Sequence, residues 1–238
     1  MFVTFEGPDG GGKSTQADLL VNRLHENGRE AILVHEPGGT DLGVHVRALL
    51  VSRAWTAIDP WAEALLFSAC RAQLVAEVIR PALEHGVIVV ADRFADSTLT
   101  YQGAGRGLPL PDLESLVEIA TGGLAPDVTV LLDVPPEVGL ARNRRGGHSE
   151  SVSTQATFFE EITMPEDWNR FEDEAVAFHR RIQGAYLEMA ARAPERWLVI
   201  DATVDKEVVA AAVWTTLGAK LAAGDTGTVK PGVRPTKR

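Results

Sequence analysis

The run Gly7-Pro8-Asp9-Gly10-Gly11-Gly12-Lys13-Ser14-Thr15 constrains this chain more than any other feature, because it sets a glycine-rich loop between an apolar opening strand and a helix. Phe2, Val3, Thr4 and Phe5 read as a short buried strand, and Gln16 to Leu24 carry helical periodicity. In that context successive backbone N–H groups turn onto phosphate oxygens and the helix N-terminus adds partial positive charge. Lys13 then reaches the terminal phosphates and Ser14 can ligate Mg²⁺. A plain glycine turn before a helix is the alternative. The complete spacing in the required context favours a nucleoside triphosphate site built from Gly7 through Thr15.

The chain has 238 residues, 45% hydrophobic and 24% charged, which suits one compact domain able to bury a sizeable core. Strands are predicted over 2–6, 31–35, 87–91, 128–133 and 197–201, and helices over 13–26, 42–53, 59–84, 111–121, 135–145, 170–192 and 205–221. That alternation predicts an α/β fold, a five-stranded parallel sheet with helices on both faces and ligands at the carboxyl ends of the strands. Asn27-Gly28 and His85-Gly86 stop two of the helices. Residues 1–222 are expected to form the single domain, and the Gly-, Pro- and Thr-rich stretch 223–238 a disordered tail.

A formal charge of -10 disfavours nucleic acid and anionic membranes as partners, although a polyanionic small molecule needs only a local basic site. Cys70 is the one cysteine, no signal peptide precedes the first strand, and no apolar run is long enough to cross a bilayer. A cytoplasmic protein is expected.

A phosphate loop alone leaves GTPases, ATPases, motors and small-molecule kinases open, so the other strand ends must decide. They carry Glu36-Pro37-Gly38-Gly39-Thr40, then Asp92-Arg93-Phe94 with Asp96-Ser97-Thr98, then Tyr101-Gln102-Gly103 and Gly105-Arg106-Gly107. With the phosphate loop, Phe67 through Gln73, Pro126-Asp127 and Leu132-Asp133-Val134, these motifs resemble thymidylate kinase from about Phe2 to about residue 215. The resemblance implies a P-loop kinase fold, a homodimer, and transfer of the γ-phosphoryl of ATP to dTMP.

Residue chemistry agrees at several points. Arg71 is the only charged residue between Glu63 and Glu77 on an apolar helix, so its guanidinium needs a partner. Phe67 lies one turn before it, and the two can present a stacking face and a directed donor to a base; the family uses the matching positions for thymine. The alternative is a core Phe with a snorkelling Arg. Arg93 ends an apolar strand opposite the phosphate loop, where an acceptor phosphate would lie, and Asp92 could hold a Mg²⁺-bound water. A turn with a local ion pair competes with that reading. Arg47 matches the family's second arginine on the dTMP phosphate, or is a surface charge. Asp9 is out of place in an anion loop unless it turns toward a donor, and the matching acidic residue of the family takes the 3′-hydroxyl of dTMP. Glu36 is grouped with the acceptor pocket, Tyr101 matches the residue that crowds the 2′ position, and Ser97 and Gln102 match positions near the base.

An arginine placed on the transferring group can be worth roughly 10³–10⁵ in rate. Here Pro8, Asp9, Gly10 and Gly11 fill the variable loop positions, so that charge must come from elsewhere. Arg142-Asn143-Arg144-Arg145 resembles the lid of the bacterial subtype, with Arg142 and Arg145 as the expected catalytic pair and Arg144 in reserve. Helix C-terminal cations that merely complement the dipole are the competing explanation. The lid, about 142–169, carries a polar insertion with Glu150, Glu160, Glu161, Glu166 and Asp167 and no Lys or Arg between His148 and Asp167. Carry-over to Arg170 and Glu172 is left open by Asn169, where the family commonly has Asp. Rival functions are a kinase for another monophosphate or a deoxynucleoside, and a nucleotide switch, which lacks an Asn-Lys-x-Asp guanine signature here.

Overall fold

The computed structural model describes residues 1–52, 57–145 and 176–224, apart from the side chains of 144–145, 219 and 221–224. Five strands, β1 (Phe2–Glu6), β2 (Ala31–His35), β3 (Ile88–Asp92), β4 (Val128–Asp133) and β5 (Trp197–Asp201), form one parallel sheet in the order β2-β3-β1-β4-β5. The connecting helices are α1 (Lys13–Glu26), α2 (Asp41–Val51), α3 (Pro60–Leu74), α4 (Arg80–Glu84), α5 (Ala95–Thr98), α6 (Leu110–Thr121), α7 (Pro136–Arg145), α8 (Val176–Arg192) and α9 (Lys206–Gly224).

Strand side chains alternate between the two faces, and both faces are covered, which is why the strands read as apolar runs. Val3, Phe5, Val90, Val130 and Leu132 pack with Leu20 and Leu24 of α1 and Val213 and Leu217 of α9. Phe2, Val89 and Ala91 point the other way, onto Leu74, Ile79 and Phe94, and Leu131 meets Phe178, Ile182 and Tyr186 of α8. That second face also holds polar groups. Thr4 Oγ1 donates to Thr129 Oγ1 at 3.0 Å across the paired strands, and Arg196 donates to both oxygens of Asp96 at 2.6 and 3.0 Å and to Thr129 at 2.9 Å.

The predicted strands and the doubly wound arrangement match the structure, with two local differences. The long helix predicted over 59–84 is interrupted by a π turn, Val75–Ile79, between α3 and α4. Pro81 lacks an N–H and its ring crowds the carbonyl four residues back, so a widened turn there relieves the helix. Residues 95–105, read from sequence as a motif-bearing loop, coil into α5 and a second π turn, Leu99–Gly105. Gly103, Gly105 and the two β-branched threonines, Thr98 and Thr100, argue against helix locally, but burial of Thr98, Thr100, Tyr101 and Gln102 overrides that preference.

Asp96 is buried and Arg196 is its bidentate partner, so removing the cation strands a carboxylate inside the protein. Arg196→Ala is expected to lower the unfolding free energy by about 3 kcal/mol in urea titration. A change below about 0.5 kcal/mol, the range of ordinary surface substitutions, would contradict this role for the pair.

Candidate active site

Four strand ends converge on one place. The loop after β1 turns back over the sheet through Gly7, Gly10 and Gly12, all at positive φ. At Gly10 the backbone approaches so closely that a Cβ would sit 2.0 Å from the carbonyl oxygen of Gly139 on α7. At Gly12 a Cβ would meet nothing within 4 Å, so that position of the loop faces open space. Lys13 begins α1 buried, its Nζ donating to the Pro8 carbonyl at 2.8 Å. Burial and the Arg93 charge lower its pKa to about 8, against the pull of Asp9, Asp92 and Glu6. Ser14 Oγ donates to Asp92 Oδ2 at 2.5 Å. Burial opposes ionisation of Asp92, but His35, Lys13, Ser14 and Arg93 together bring its pKa down to about 2, so it is an anion at all working pH values. His35, paired with Asp92 in the β2–β3 register, puts Nδ1 3.6 Å from Asp92 Oδ2.

Arg93 occupies the centre. Among the described residues it is the one non-glycine at positive φ, 70°, a left-handed conformation that a bulky side chain adopts only when its surroundings hold it. The turn sends the guanidinium back across the phosphate loop. Nη1 donates to the Gly7 carbonyl and to Ser97 Oγ, both at 3.2 Å, and Nη2 donates to Asp9 Oδ1 at 2.5 Å and to Tyr101 OH at 3.0 Å. Asp9 is therefore turned away from the anion cradle, as the sequence argument required. Burial alone would raise its pKa, but Arg93 and Lys13 hold it below the usual carboxylate value. Its Oδ2 is buried with no hydrogen-bond partner, an acceptor left over for something else. Arg47 of α2 stands close enough to Asp92 and Arg93 to feel both charges; burial and Arg93 lower its pKa while Asp92 raises it, and Nη1 donates to the Pro37 carbonyl at 2.9 Å.

Beside this cluster lies a second one. Arg71 is fully buried, with 1% of its surface exposed, and is bound to Glu36 Oε2 through Nε at 2.8 Å, to Thr98 Oγ1 through Nη1 at 2.9 Å and to the Phe94 carbonyl through Nη2 at 3.1 Å. The partner that a lone cation on an apolar helix demanded is thus Glu36, at the end of β2, and Arg71 is not a snorkelling surface charge. Burial raises the Glu36 pKa to about 7 in spite of Arg71, and its Oε1 has no hydrogen-bond partner. Phe67 is half-buried one turn away, packed against both neighbouring apolar clusters.

Other expected site residues hold partners of their own. Gln102 is buried and spends its amide N–H on Glu63 Oε1 at 2.8 Å, where Arg106 also binds at 3.3 Å. Arg142 reaches the loop after β5, donating to the Ala202 carbonyl at 2.7 Å and to the Thr203 carbonyl at 3.2 Å. The side chains of Arg144 and Arg145 lie outside the described residues, as do the acidic insertion, Arg170, Glu172 and the tail from 225 onward.

Sequence reasoning missed several participants. Glu6 ends β1 and accepts from Phe94 N–H at 2.8 Å, Ser97 Oγ at 2.6 Å and Tyr186 OH at 2.7 Å. Burial and Asp96 raise its pKa, opposed by Arg93, Ser97 and Tyr186. His179 of α8 is 1% exposed with Nε2 unpartnered. The only available signal was polarity at a position that strand or helix periodicity makes internal: Glu6 continues the alternation Phe2, Thr4, Glu6.

Comparison with known proteins places the chain in a family. The model of the thymidylate kinase family matches residues 5–166. A thymidylate kinase of Thermomicrobium roseum is 51% identical over 216 residues, 91% of this chain and 93% of the relative, and one of Herpetosiphon aurantiacus is 46% identical over 213 residues, 87% and 90%. Among solved structures, thymidylate kinase from Ehrlichia chaffeensis superposes with a TM-score of 0.68 at 30% identity, covering 92% of this chain and 98% of that one. Family model, relatives and fold agree with the phosphate loop facing Arg93: the chain belongs to the thymidylate kinase family.

Proposed function

We propose that this protein transfers the γ-phosphoryl group of ATP to the 5′-phosphate of dTMP, giving dTDP and ADP. Family membership supports the reaction, and the observation that carries it to these residues is Arg93, whose guanidinium joins the donor loop at Gly7 and Asp9 to the acceptor side at Ser97 and Tyr101.

The donor phosphates fit the loop from Gly7 to Thr15, where Gly12 faces open space and Lys13 supplies buried positive charge. Ser14 and Asp92 fit Mg²⁺: a hydroxyl and an ionised carboxylate are hard oxygen donors, already adjacent at the loop mouth. There the ion would neutralise charge on the phosphate oxygens. Arg93 and Arg47 orient the acceptor phosphate, and because both are cationic and partly desolvated, their pull on it is stronger than in water. Asp9 Oδ2, buried and unused, accepts the sugar 3′-hydroxyl. Tyr101, whose ring lies under the Arg93 guanidinium at 4.9 Å, limits the room beside the sugar. Phe67 offers its ring to the base, and Arg71, fixed by Glu36, Thr98 and the Phe94 carbonyl, presents a rigid donor edge to it. Ser97 and Gln102 act through the partners they already hold. Lid arginines Arg142 and Arg145 supply the remaining charge on the transferring group; Arg142, resting on the Ala202–Thr203 backbone, starts from the side of the sheet where the loop after β5 runs. In-line transfer then requires little of the protein beyond this positioning.

The same proposal takes residues 1–222 as one kinase domain with a lid at about 142–169, a homodimer as the assembly and the cytoplasm as the compartment. Among the described residues no helix is long and apolar enough to cross a membrane.

ADP release from Mg²⁺-ATP, measured with dTMP, dUMP, UMP, CMP, AMP, GMP and thymidine separately, is expected to favour dTMP strongly. A different preferred monophosphate would overturn the roles of Phe67, Arg71 and Tyr101, and turnover of none would overturn the kinase reading. For the lid, Arg145→Ala is expected to lower kcat at least roughly a hundredfold, toward the 10³-fold cost of losing a transition-state arginine, with KM for dTMP within about twofold. An unchanged kcat removes Arg145 from catalysis.

A further inference from the structure

Arg93 is held by more than the loop it touches. Behind it, on the face of the sheet away from the phosphate cradle, Tyr186 of α8 and Ser97 of α5 both place a hydroxyl against the same carboxylate oxygen, Glu6 Oε2, at 2.7 and 2.6 Å. Arg93 Nη1 in turn donates to both hydroxyl oxygens, at 3.4 Å for Tyr186 and 3.2 Å for Ser97. Each hydroxyl carries one proton and donates it to Glu6 Oε2, and the two hydroxyl oxygens themselves lie 3.0 Å apart. Their lone pairs are then left facing Arg93. The other Glu6 oxygen is fixed by the Phe94 backbone N–H at 2.8 Å, so the carboxylate cannot rotate away. Hydrogen bonds therefore run one way, from guanidinium to hydroxyls to carboxylate, through side chains that are buried or nearly so.

We infer that Glu6 and Tyr186 are positioning residues for the acceptor site: the carboxylate orients the Tyr186 and Ser97 hydroxyls so that they hold the Arg93 guanidinium, in its left-handed backbone conformation, at the place of the acceptor phosphate. The inference rests on the reading of Arg93 as the phosphate-orienting arginine. Its distinctive consequence concerns polarity, not volume. In Glu6→Gln the Phe94 N–H still demands an oxygen, so the amide NH₂ faces the two hydroxyls and donates to them. One of their protons can then pass between the hydroxyls, 3.0 Å apart, but the other turns toward Arg93, where donor meets donor. Tyr186→Phe keeps the ring packed edge-on to Trp197 and deletes only the hydroxyl.

The test is a double-mutant cycle in steady-state kinetics with dTMP and ATP varied separately, each variant accompanied by its thermal midpoint. Glu6→Gln and Tyr186→Phe are each expected to lower kcat/KM for dTMP by about tenfold or more, while KM for ATP stays within twofold. In an Arg93→Ala background the same changes are expected to cost less than threefold, because the group they position is gone. Equal losses in both backgrounds, or wild-type kcat/KM for either variant, overturn the inference. Should Glu6→Gln fail to fold, the Tyr186→Phe arm decides alone, since it removes one oxygen from a retained ring. If the unmodified protein does not turn over dTMP, the kinase reading has failed; if it does and the cycle is additive, only the positioning role has.

Discussion

A largely buried guanidinium in a left-handed backbone turn organises this molecule. Arg93 stands where β3 ends, and the cost of its conformation and of its desolvation is of the order of several kcal/mol, met only by the groups that surround it. Those groups come from everywhere: Gly7 and Asp9 from the loop after β1, Ser97 and Tyr101 from the segment after β3, Tyr186 from α8. A cation that gathers partners from so many elements fixes their relative positions. It also keeps Asp9 out of the phosphate cradle, so an acidic residue can sit in an anion-binding loop without repelling its ligand.

The sheet has two unlike faces for this reason. The side toward α1 and α9 is almost wholly aliphatic, and it is anchored below the phosphate loop, where rigidity is all that is required. The opposite side carries Thr4, Glu6, Thr129, Asp96 and Arg71 inside the protein, each hydrogen-bonded. Replacing such a network with aliphatic packing would cost little stability in many proteins. Here part of that network, Glu6 with the Ser97 and Tyr186 hydroxyls, lies directly against the Arg93 guanidinium, so its contribution under the proposed function is direction. The close contact of Gly10 with Gly139 adds a backbone-to-backbone connection between the glycine-rich loop and α7.

The layout was legible in sequence where it depends on local pattern. Five apolar runs gave the strands, the spacing from Gly7 to Thr15 gave the phosphate loop, and the isolation of Arg71 on an apolar helix gave the need for a buried partner. Partners themselves were not legible. Glu6 and Tyr186 are 180 positions apart, Asp96 and Arg196 are 100 apart, and nothing local in either member of a pair announces the other. The segment 95–105 was misread because its threonines and glycines disfavour helix, while the contacts that coil it are tertiary. Arg142 followed from a cluster of basic residues at a helix end, which gives charge but not direction, and only the folded chain brings it to the Ala202 carbonyl.

Whether Arg93 is preset for the phosphate of the acceptor is decided by calorimetric binding of dTMP and thymidine to the unmodified protein and to Arg93→Ala. dTMP is expected to bind the unmodified protein at least about a hundredfold more tightly than thymidine, close to 3 kcal/mol, and Arg93→Ala to remove most of that difference while leaving thymidine affinity nearly unchanged. An undiminished preference for dTMP in the variant would mean that the acceptor phosphate is held elsewhere, and the organisation described for this site would be wrong.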